Sequence, residues 1–166
     1  MQPTVITGVT VTPVAFADPP LLNTVGVHQP YALRAIIRID TAGGLQGLGE
    51  TYADTAHLTR LEAAAESIVG QDVFSLNRIR STIDERISRL SVTGGDGVAG
   101  MITTASTTDR VFSPFEVACL DVQGKTLGRP VSDLLGGAVR DRVPFSAYLF
   151  YNCLLYTSDA ADERSS

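Results

Sequence analysis

Residues Val5 to Phe16 alternate between apolar and polar types and are rich in Val and Thr. That is the pattern of a half-buried strand, and Asp18-Pro19-Pro20 stops it. A second alternation runs from Ala32 to Ile39, setting Leu33, Ala35, Ile37 and Ile39 against Arg34, Ile36 and Arg38. Thr41-Ala42-Gly43-Gly44 then predicts a tight turn into Leu45 to Tyr52, because glycine takes positive φ without a Cβ clash. The first third of the chain therefore reads as an antiparallel meander of three strands.

After Asp54 the period changes from two to 3.6. Leu58, Leu61, Ala65, Ile68 and Val69 share one helical face, with Asp54 or Thr55 as N-cap and Gly70 closing the end. Ser75 opens a second helix with the stripe Leu76, Ile79, Ile83, Ile87 and Leu90. Val92 to Asp109 is rich in Gly, Thr and Ser, has no period and reads as a loop. Ser113-Pro114-Phe115-Glu116 combines a capping serine, proline at the first helical position and a capping-box glutamate, so a third helix is expected to start there. Gly128 ends it, Pro130 opens a short helix finishing at Gly136-Gly137, and Val143 to Tyr151 reads as a last apolar strand. The fold class is α+β.

At 166 residues, 44% of them hydrophobic, the chain suits one domain with a substantial core. A formal charge of −5 offers no basic surface for a nucleic acid. No apolar run approaches the roughly 20 residues that span a bilayer, and Met1-Gln2-Pro3-Thr4 lacks the basic start of a signal peptide. A cytoplasmic location without membrane contact is expected. Cys119 and Cys153 have no second cysteine or histidine at a metal-ligand spacing, so neither a zinc site nor a disulfide framework is expected.

Few residues suggest chemistry by type alone. Gly95-Asp96-Gly97-Val98-Ala99-Gly100 matches the letters of a dinucleotide fingerprint, yet it follows a helix and enters a Thr-rich stretch, where the motif needs a strand before it and a helix after it. His28 sits in a connection longer than a hairpin needs, and long ordered loops often carry function. A surface or packing histidine is the competing reading. His57, at a helix start, attracts no functional assignment. Glu50, in Gly47-Leu48-Gly49-Glu50, reads as structural, and Cys119 on a buried stripe reads as a small hydrophobe.

The stretch from Cys153 through Tyr156 to Glu163 fits no element. It back-translates to a sequence resembling a transposase-type sequencing adapter. Residues 152–166 are therefore expected to be a non-native tail, with the natural sequence interrupted near Tyr151.

The meander, the Gly-Leu-Gly-Glu strand end, and Phe115 to Pro130 followed by Leu134-Leu135-Gly136-Gly137 together resemble the N-terminal capping domain of the enolase superfamily. Within it, Asp18-Pro19-Pro20-Leu21-Leu22-Asn23, Gly26-Val27-His28 and Val143 to Tyr151 are similar to the glucarate dehydratase group. The resemblance implies a capping domain over residues 1–142 and the start of a (β/α) barrel's first strand over 143–151, the rest of the barrel being absent.

It further implies a lid for a sugar-diacid substrate, with Mg²⁺ and the acid–base groups in the missing barrel, and a homo-oligomer at full length. The implied chemistry is removal of a proton α to a carboxylate and loss of the β-hydroxyl as water. His28, Thr103 and Tyr148 match substrate-contacting positions, with Thr104 an alternative to Thr103. No catalytic residue or metal ligand is expected in this chain. The lid of another dehydratase, racemase or cycloisomerase of the superfamily, or a stand-alone α+β binding module, are the alternatives.

Overall fold

Five strands and four helices follow one another in the computed structural model, which describes residues 2–17, 22–23, 26–27, 31–92 and 107–146. They are β1 (Ile6–Ala17), β2 (Leu22–Asn23), β3 (Gly26–Val27), β4 (Tyr31–Thr41), β5 (Gln46–Tyr52), α1 (Thr55–Ser67), α2 (Leu76–Ser88), α3 (Thr107–Leu127) and α4 (Val131–Leu134). The expected meander forms an antiparallel sheet in the order β1-β4-β5, and β2 pairs with β3.

Ala35, Ile37 and Ile39 of β4 are buried as the alternation predicts, against Leu61 and Ile68 of the α1 region, Ile79 and Ile83 of α2, and Phe115 and Val122 of α3. Leu33 and Tyr31 have the same parity but are more than half exposed, because the β1–β4 ribbon outruns the helices that cover its base. Val69 departs from the expected stripe and is exposed. Gly70 takes a φ of 89° immediately after it, the left-handed conformation that turns the chain out of α1.

The third helix begins at Thr107, upstream of the expected start at Ser113. Its first turns gain tertiary partners that outweigh the capping signal. Val111 and Phe112 are buried, Arg80 of α2 donates to Asp109 at 2.7 Å, and Thr108 donates to Asp84. Pro114 is consequently inside the helix, where it removes one intrahelical N–H donor and its ring crowds the carbonyl one turn back, a cost that the tertiary contacts of the first turns offset.

Helix α3 lies directly on β5. A Cβ on Gly47 would meet the Ala118 carbonyl oxygen at 2.0 Å, and one on Gly49 would meet the Pro114 carbonyl oxygen at 2.0 Å. The same helix covers the open edge of β5, since Asp121 accepts from the Leu48 N–H at 3.0 Å and Lys125 donates to the Gln46 carbonyl at 2.7 Å. Val143 to Ser146 is irregular and exposed, and Ala147 to Tyr151 of the expected last strand lies outside the described residues, as do the Gly95–Gly100 motif and the tail over 152–166.

Candidate functional site

The register of the sheet gathers several chain segments at one end. Ala17 pairs with Tyr31 where β1 ends and β4 begins, and Arg34 pairs with Tyr52 where β5 ends. Because α3 runs antiparallel to β5, its first turns lie beside Thr51 and Tyr52. A cleft of about 700 Å³ opens there, lined among others by Thr51, Tyr52, Asn77, Arg80, Arg110 and Glu116.

Both charge signs face this cleft. Asp109 holds the Arg80 guanidinium above its usual pKa, first through their hydrogen bond and then through its charge. Hydroxyl and amide groups from Thr51, Ser113 and Asn77 add neutral donors and acceptors. Such a lining can hydrogen-bond a polyhydroxylated or carboxylated molecule, but it presents no paired nucleophile and base.

The wall of the cleft is set from behind by α1. Asp54 caps that helix by accepting the His57 backbone N–H at 2.9 Å, and the His57 imidazole packs inward. The ring is 1% exposed and stacks on Tyr52 with centroids 4.1 Å apart and planes 15° from parallel. Its Nε2 lies 3.4 Å from Thr51 Oγ1. Burial lowers the His57 pKa to about 4; Asp54 opposes that shift, while Arg60 and Arg110 add to it. The imidazole is therefore neutral near pH 7.

His28, Thr103 and Tyr148 all lie outside the described residues. Tyr31, shortly after His28, and Thr107, shortly after Thr103, are both at the cleft end of the sheet. Glu50 pairs with Arg34 at 3.5 Å in a half-exposed contact, a structural arrangement. Cys119 is buried, and desolvation pushes its thiol up to about 12, so it is no nucleophile at neutral pH. Sequence reasoning missed His57 and Arg60. The available signal was their spacing, since positions 57, 60, 61, 64 and 68 share one helical face and all are buried.

Among the described residues no three His, Cys, Asp or Glu side chains converge as a metal site. The described residues thus offer no cluster of ligands for the magnesium that the resemblance assigns to the barrel.

Residues 6–136 match the sequence pattern described as "Mandelate racemase / muconate lactonizing enzyme, N-terminal domain". The chain belongs to this family of the enolase superfamily. Its sheet and helices are the capping-domain fold expected from the sequence. The "Probable glucarate dehydratase" of Streptomyces coelicolor is 46% identical over 163 residues, covering 96% of this chain and 38% of that protein. A crystal structure of an enolase from Mycobacterium smegmatis, complexed with tartrate, is 72% identical over 89% of this chain and 34% of that one, with a TM-score of 0.77. Another, from Gibberella zeae and complexed with magnesium, formate and sulfate, is 57% identical over 90% of this chain and 34% of that one, with a TM-score of 0.84. The chain thus spans little more than a third of these relatives.

Proposed function

We propose that this capping domain serves a magnesium-dependent acid-sugar dehydratase acting on glucarate or a close relative. The whole protein removes the proton α to a carboxylate and expels the β-hydroxyl as water. The domain covers the substrate, and the metal and proton-transfer groups belong to a (β/α) barrel encoded beyond residues 143–151. His28, Thr103 and Tyr148 are assigned as contacts to the sugar diacid, whose carboxylates and hydroxyls suit hydroxyl and imidazole donors. Residues 152–166 are assigned to a non-native tail.

The observation that carries the dehydratase reading is the 46% identity to the Streptomyces coelicolor protein across 96% of the chain. It is supported by a fold that leaves a polar cleft and the β1–β4 ribbon at one end of the sheet. The test is an assay of D-glucarate, D-xylonate and D-galactonate with magnesium, using the protein extended through its downstream coding sequence and, separately, the 166-residue chain. The extended protein should release water from glucarate in preference to the monoacids, and the short chain should turn over none. Turnover of a monoacid alone would transfer the assignment to another dehydratase, and turnover by the short chain would overturn it.

A further inference from the structure

Buried polar side chains need a reason, because each must recover the hydrogen bonds it loses to water. Among the described residues four are buried, Thr41, His57, Arg60 and Gln123, and two of them are neighbours on α1. His57 reaches forward to the end of β5 through the Tyr52 stack and Thr51. Arg60, one turn on and only 7% exposed, donates from Nη2 to the Val92 carbonyl at 2.9 Å, beyond the end of α2. An apolar pair at these positions would pack the same space without directional bonds to either segment. The polar pair fixes both, and Thr51 and Tyr52 are cleft wall.

We infer that His57 and Arg60 are positioning residues, a buried brace on α1 that holds the Thr51–Tyr52 wall of the cleft in register with the exit of α2 at Val92. Neither touches the cleft contents; they act through the residues that do. A planar imidazole suits the role because it offers Tyr52 a stacking face and Thr51 a ring nitrogen at once. Arg60 suits it because a guanidinium can bond a carbonyl while its stem packs among apolar neighbours.

This inference rests on the dehydratase reading only for its kinetic consequence, so the test has two arms, both on the full-length protein. In native-state hydrogen exchange, His57→Ala should accelerate exchange of the Glu50–Asp54 amides by about tenfold, and Arg60→Met should do the same around Val92, with the α2 and α3 interior unchanged. His57→Phe, which keeps the stack but not the nitrogen, should lie between wild type and His57→Ala. In the kinetic arm, His57→Ala should raise KM for glucarate by about tenfold with a smaller change in kcat. Wild-type exchange in all variants, or uniform acceleration across every helix, would overturn the brace. A full-length protein inactive on every acid sugar would defeat the dehydratase reading while leaving the exchange arm to decide the brace. Should His57→Ala fail to fold, His57→Phe and Arg60→Met decide the exchange arm.

Discussion

Gly49 of β5 meets Pro114 of α3 backbone to backbone: a Cβ on the glycine would fall 2.0 Å from the proline carbonyl oxygen. No side-chain rotation can relieve that overlap, so the helix would have to lift from the strand. Lifting it would also strain the Asp121 and Lys125 bonds that close the edge of β5. Gly49→Ala should therefore destabilise the domain by about 3 kcal/mol or more. The check is the shift in urea midpoint at low protein concentration; a loss below about 0.5 kcal/mol would mean that α3 is not seated on β5 as described.

His57 makes stability depend on pH. Its pKa is lowered from 6.5 to about 4 in the folded chain, mainly by burial. Between those values the unfolded chain takes up a proton that the folded one refuses. The stabilisation is fully present above about pH 6.5 and is lost as the pH falls toward about 4, at up to about 1.4 kcal/mol per pH unit. His57→Phe should flatten that part of the profile, as measured by urea melts at about pH 7 and about pH 4.5 in both proteins. Parallel profiles would show that the imidazole titrates normally.

Much of the fold was legible because its hydrophobic periods are clean. Ile79, Ile83 and Ile87 recur at helical spacing with no competing signal, and all three are buried. Ala35, Ile37 and Ile39 do the same at strand spacing. The start of α3 was misread because local capping chemistry at Ser113-Pro114 competes with tertiary bonds from Asp109 and Thr108 to α2, and those partners are distant in sequence. The brace was missed for the same reason. Spacing alone places His57 and Arg60 on the buried face of α1, but the partners that give them a role, β5 and Val92, are not marked by that spacing. Assigning substrate contacts required the family resemblance, since nothing in the residue types near His28 distinguishes a ligand contact from a packing histidine.

Cys119 gives a direct probe of core integrity. Its thiol is fully buried and its pKa is raised to about 12, so the thiolate is scarce and unreachable in the folded protein. Iodoacetamide at neutral pH should leave Cys119 unmodified until denaturant unfolds the domain, with peptide mass spectrometry separating it from Cys153. Rapid native-state modification would place Cys119 outside the core.

Val139 and Phe145 are 95% and 93% exposed, and Leu135 and Val143 are exposed beside them in sequence. Exposed apolar surface of this kind invites association. Sedimentation of the 166-residue chain should show concentration-dependent self-association that Val139→Ser with Phe145→Ser reduces. A monodisperse monomer at high concentration would count against an apolar segment that lacks its neighbours.

The separation of substrate cover from reaction chemistry is tested most directly by His28→Ala in the full-length protein, with glucarate kinetics and magnesium binding measured on the same preparation. The account predicts that kcat/KM for glucarate falls by at least about tenfold while the magnesium Kd is unchanged. Unchanged kinetics, or loss of magnesium binding along with activity, would contradict it.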